Sequence, residues 1–182
     1  MQGRSFGEYS LRRPEQEGEV VYESVVGVIP NARIKTGMLK SEMWFLVVTT
    51  HRLLGAQISG DLVKAVVEQA RAQAKASGKG FFGQWGAQLN ASFHMAQRYL
   101  AMPPEAILAE TRGNWALYPG QVSWIRVERK SRGGDEDSPS VDYLRITIAT
   151  PGGSGAYETD DENPRQNEAR NLLYRLFGPI IH

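Results

Sequence analysis

Met43 to Ile58, MWFLVVTTHRLLGAQI, is a strongly apolar, β-branched run that is cut by Thr49-Thr50-His51-Arg52 and then resumes. Trp, Phe, Val and Leu suit the pleated, half-buried surface of a sheet, whereas a threonine pair followed by His and Arg suits a turn. The stretch predicts two neighbouring strands joined by a short polar turn. A strand preceding it is expected at Glu19–Ile29, EVVYESVVGVI, bounded by Gly18 and Pro30. Residues 19–58 thus read as the first three strands. Residues 1–18, with few apolar anchors, read as a loosely held N-terminal arm.

After Ile58 the period changes. Val63, Val66, Val67, Ala70 and Ala74 recur at helical spacing after a capping Ser59 or Asp61, and a second helical pattern places Trp85, Leu89, Phe93, Ala96 and Leu100 on one face. Residues 60–104 are therefore expected to form a helical insertion of two helices, ended by Pro103-Pro104, with a short helical turn at Ile107 and Leu108. Strand character returns over 107–159, at Asn114–Tyr118, Gln121–Arg129, Val141–Thr150 and Gly155–Thr159, separated by Pro-Gly turns and by the exposed loop Ser131–Ser140. The last element, 163–177, reads as an amphipathic helix. Asn163, Pro164 and Gln166 suit its cap, and Ala169, Leu172, Leu173, Leu176 and Phe177 follow the spacing of one buried face.

With 182 residues, 41% of them hydrophobic, the chain predicts one α+β, mostly β domain, long enough for a real core. The formal net charge of +1 shows no overall basic excess, so no nucleic acid is expected as partner. Cysteine is absent, which excludes disulfides, thiolate catalysis and cysteine-held metals and fits a cytoplasmic setting. Met1–Glu19 is polar with scattered arginines, unlike a signal peptide.

The order of strands, helical insertion, strands and final helix resembles the pleckstrin-homology-like superfold, including bacterial PH and GRAM-type domains. Phe45 to Leu54 looks like the strand and T-x-x-R-L turn frequent there, and Leu117 to Ile125 loosely matches a later I-P-Y-x-x-I strand start, with Pro and Tyr reversed. The resemblance covers roughly Gly18 to Phe177 outside the helical stretch. It implies a bent antiparallel sheet or partly open barrel, capped by the C-terminal helix. The long insertion is its departure from a minimal domain.

The residues assemble no reaction. Gly78 to Gly83 matches G-x-G-x-x-G, but a helix precedes it and Phe81 and Phe82 fill its variable positions, which suits an interhelical turn. His51, His94 and His182 share no metal-ligand spacing, so neither metal nor cofactor is expected. Arg52 could orient an acidic group and is expected to be solvated or structural. Two features suit binding. Arg33, Lys35 and Lys40 form a basic loop between the first two strands, the loop that contacts headgroups in phosphoinositide-binding members of the superfold. Phe81, Phe82 and Trp85 form an aromatic cluster at the mouth of the insertion. The expectation is a non-catalytic binding or assembly module. Its partner is another protein or a second copy through the insertion, or alternatively a membrane surface through both features.

Overall fold

The computed structural model describes residues 22–62, 64, 68, 91–133, 139–160 and 164–182, with the backbone alone over 91–94. Seven strands form one antiparallel sheet in the order β4-β3-β2-β1-β7-β6-β5. They are β1 (Val25–Lys35), β2 (Ser41–Thr49), β3 (Leu53–Gln57), β4 (Trp115–Leu117), β5 (Trp124–Arg132), β6 (Val141–Thr150) and β7 (Gly153–Asp160). Helical residues occur between β3 and β4, at 60–62, 64 and 68, in α1 (Ala91–Leu100) and in α2 (Pro104–Glu110). A C-terminal helix, α3 (Gln166–Phe177), follows the last strand.

The apolar run that decides the fold is apolar on both sides because β2 is covered on both sides. Trp44, Leu46 and Val48 enter a core with Ile125, Leu144, Ile146, Ala169, Leu173 and Phe177, so α3 closes that face. Phe45 and Val47 point the other way, into a second core with Leu54, Ala56, Met95, Tyr99 and Ile107 under α1 and α2. Phe45 meets the Tyr99 ring edge-on at 5.3 Å between centroids.

The sheet is curled but open. β1 pairs with β2 along its length and with β7 only at Arg33↔Glu158 and Ile34↔Tyr157. The bend falls at a bulge between Ile29 and Ala32, where Asn31 takes the left-handed conformation at φ 54°. The curl brings β4 to β7 across the interior: Trp115 lies 6.1 Å from Trp44 and 6.3 Å from Tyr157 between ring centroids, although three strands separate β4 from β7 in the ladder. At the other edge, the residues after α3 add to β5. His182 donates its N–H to the Ile125 carbonyl at 2.8 Å, and Val127 donates to the His182 carbonyl at 3.0 Å.

Several boundaries differ from the sequence reading. β1 does not end at Pro30 but runs on to Lys35. Proline has no N–H to give a ladder, and at the bulge none is required; its carbonyl accepts the Thr159 hydroxyl at 2.7 Å. Ile107 and Leu108 lie in α2, where a short helical turn is expected, and the first strand after it starts at Trp115, one residue past the expected Asn114, so that 107 opens no strand. The expected face of the second inserted helix is rotated: Met95 and Tyr99 are buried and Leu100 is exposed. β7 spans Gly153–Asp160, longer than 155–159. α3 starts at Gln166, with Arg165 at the cap donating its N–H to the Glu168 carboxylate at 3.0 Å. The expected cap residue Asn163 lies outside the described residues. The buried face of α3 is as read, with Ala169, Leu173 and Phe177 inside and Leu172 and Leu176 packed beside them. Gly178, at φ 61°, ends the helix in a conformation that favours glycine.

Candidate functional site

Extension of β1 past Pro30 turns the expected basic loop into a hairpin arm. Arg33 and Lys35 are strand residues, paired with Met43 and Ser41 of β2, and only residues 36–40 form the turn. Thr36 closes it by donating its N–H to the Lys40 carbonyl at 3.0 Å. Arg33 and Lys35, two apart on a strand, share one face of the sheet. Lys40 returns beside Lys35 at the base of the turn, so the structure brings the three cations to one arm, all of them exposed. The tip carries Met38 and Leu39, whose relative exposures are 103% and 100%. Among the described residues these are the most exposed large apolar side chains. Sequence reading missed them because they follow no helical or strand period. The usable signal was two consecutive apolar residues inside a basic turn.

The face of β1, β7, β6 and β5 that carries Arg33 holds a cross-strand row of alternating charge, Arg33–Glu158–Arg145–Glu128. Glu158 accepts from Arg145 at 2.8 Å and from Arg132 at 2.6 Å. Partial burial alone would raise the Glu158 carboxyl, but the two guanidinium groups outweigh it and hold it below its ordinary value. Arg132 and Arg145 both lie over the Tyr143 ring, at 4.8 and 5.9 Å from its centroid. Beside this row is a cavity of about 350 Å³, lined in part by Asn31, Arg33, Arg132, Tyr143, Glu158 and Asp160.

Arg52 is structural. It is buried in the β2–β3 turn, where its Nε and Nη2 fork the Glu23 carboxylate at 3.0 and 2.8 Å. Nη1 donates to the Tyr118 hydroxyl at 3.2 Å, and Nη2 also meets Glu105 at the start of α2. The Thr49 hydroxyl completes the node, lying 2.5 Å from Glu23 and accepting the Arg52 N–H at 2.9 Å. Burial acts to raise the Glu23 carboxyl, yet the bonds from Arg52 and Thr49 leave it lowered. His51 is an exposed turn residue bonded to Thr50.

A second cavity, of about 430 Å³, occupies the open side of the curl between Trp115 and Leu117 on β4 and Gly153, Gly155 and Tyr157 on β7. Burial pushes the Tyr157 hydroxyl up to about 12. The aromatic cluster Phe81, Phe82 and Trp85, the Gly78–Gly83 stretch and the acidic residues Asp135, Glu136 and Asp137 lie outside the described residues. Among the described residues no group of three or more His, Cys, Asp or Glu is placed to hold a metal ion, and no helix is long and apolar enough to cross a membrane. No family model, curated protein or solved structure matches the chain.

Proposed function

We propose that the chain is a non-catalytic binding module of the pleckstrin-homology-like kind, docking reversibly on anionic membrane surfaces through the β1–β2 hairpin. The kinship is supported by the open, curled meander and the C-terminal helix that covers one face. The membrane reading is carried by one observation: Met38 and Leu39 stand fully exposed at a tip whose base carries Lys35 and Lys40. An apolar tip above a cationic collar matches the layering of a membrane interface, acyl boundary below and phosphate level above.

Magnitudes set the strength. Burying an apolar side chain of this size yields about 1.5–3 kcal/mol, and each cation near an anionic leaflet adds about 1 kcal/mol. For two such side chains and two lysines the sum, about 5–8 kcal/mol, corresponds to reversible attachment, so the module would work at a cytoplasmic membrane face with a second contact. Protein interaction or self-association through Phe81, Phe82 and Trp85 draws no support from the geometry, since those residues lie outside the described ones.

Co-sedimentation with vesicles tests the reading. Wild type should bind phosphatidylglycerol/phosphatidylcholine vesicles and release as salt rises, while Met38→Asp with Leu39→Asp should abolish binding without loss of the circular dichroism spectrum. Equal binding by the double variant, or equal binding to neutral vesicles, would sink it.

A further inference from the structure

The cavity of about 350 Å³ beside the hairpin arm presents two opposite charges that do not meet. Arg33 and Asp160 both line it, and neither forms an ion pair with any described residue. The remaining charges there are already committed. Glu158 is shared by Arg132 and Arg145, and Arg132 spends one nitrogen on it, leaving other N–H groups to donate. The lining thus offers Arg33, Arg132 and the Asn31 amide as donors to an anion, and, besides Glu158 with its two arginines, the Asp160 carboxylate as acceptor. Its size falls at the lower end of small-ligand sites.

We infer that this cavity binds the zwitterionic headgroup of an ethanolamine-type phospholipid, phosphate toward Arg33 and Arg132 and ammonium toward Asp160. A simple anion would leave the Asp160 charge uncompensated in the same cavity, and a simple cation would share it with two arginines. A phosphate joined by two carbons to an ammonium satisfies both charges at once. The ammonium is primary rather than quaternary. A choline group is held by open aromatic faces, and Tyr143, the one ring among the described lining residues, already has Arg132 and Arg145 over it. A primary ammonium takes hydrogen bonds instead, and the Asp160 carboxylate accepts them. The inference rests on the hairpin reading for its choice of a lipid source. Arg33 lies on the same strand and sheet face as Lys35, so a membrane met by the tip brings headgroups toward the cavity.

The test uses the whole chain in two arms. In solution, O-phosphoethanolamine is titrated against inorganic phosphate and followed by amide chemical shifts. Wild type should bind the phosphoethanolamine about tenfold more tightly, and Asp160→Asn should erase that preference while phosphate binding persists. On vesicles at fixed phosphatidylglycerol content, replacing phosphatidylcholine by phosphatidylethanolamine should strengthen wild-type binding but not that of Asp160→Asn. Asp160→Asn also removes a negative charge, so unspecific electrostatics would raise its affinity for anionic vesicles. A selective loss of the ethanolamine preference runs against that trend. Arg33→Gln should weaken both phosphate and phosphoethanolamine. Equal affinity for the two soluble probes, or none for either, overturns the inference even where vesicles still bind through the tip. Phosphoethanolamine binding without vesicle binding keeps the zwitterion cavity, removes the lipid source, and overturns the hairpin reading instead.

Discussion

Arg52 shows how one side chain can hold together parts distant in sequence. Its guanidinium joins Glu23 before β1, Glu105 of α2 and Tyr118 after β4. The partners are unequal in worth. The Glu23 side chain is 20% exposed, whereas that of Glu105 is 77% exposed and pairs largely in water. Arg52→Met, which strands the Glu23 carboxylate in a half-buried place, should cost about 3 kcal/mol in urea unfolding. Glu105→Gln should cost under about 1 kcal/mol. A similar loss for both would mean that the node is solvated throughout. The Glu23 carboxyl also writes a pH signature. Its folded value lies below the ordinary 4.5, so its contribution is complete above that value and disappears as pH falls through the folded one. Glu23→Gln should therefore lower the melting temperature at neutral pH and flatten the part of the acid-side decline that lies below about 4.5. Sequence alone left Arg52 between an acid-orienting role and a solvated or structural one, because its carboxylate partners lie 29 and 53 positions away. No local pattern could report them.

Among elements, β1 and β4 teach opposite lessons. The β-branched character of β1 was readable, but its end was not. Pro30 is a breaker only where the ladder demands its N–H, and the bulge at Ile29–Ala32 removes that demand. The error displaced Arg33 and Lys35 from loop to strand. The exposure of the three cations was as expected, but only Lys40 lies between the two strands. β4 is only three residues long, yet it carries Trp115, which lies across Gly55 of β3 and reaches Trp44 and Tyr157. A Cβ on Gly55 would stand 2.1 Å from the indole, shorter than any tolerable contact distance. The ring has other rings on two sides and the cavity of about 430 Å³ beside it, so making room for the methyl means leaving its place between Trp44 and Tyr157. Gly55→Ala should thus destabilise by about 1–3 kcal/mol and shift the tryptophan near-ultraviolet circular dichroism. An unchanged spectrum with unchanged stability would show that Trp115 is free to swing aside.

At the scale of the molecule, the arrangement turns on β2 as a wall common to two cores. The order of elements was legible because each period is local: alternation for strands, helical spacing for α3. That two helical layers flank one strand was written only as the absence of polar residues between Met43 and Val48, and this pattern equally suits an edge packed on one side. The curl of the sheet had no sequence mark beyond Pro30-Asn31. A shared wall has an energetic consequence. Trp44, Leu46 and Val48 cannot keep their packing if Phe45 and Val47, on the same backbone, lose theirs. The two cores should therefore melt as one unit. Ile107→Ala empties part of the core under α2, and Leu173→Ala part of the core under α3; each should cost about 2–5 kcal/mol. In both variants, unfolding followed by tryptophan fluorescence should coincide with that followed by far-ultraviolet circular dichroism. If Ile107→Ala lost helical signal at lower denaturant while Trp44 stayed buried, the inserted helices would be an independent layer. β2 would then be a boundary between two units rather than their common wall.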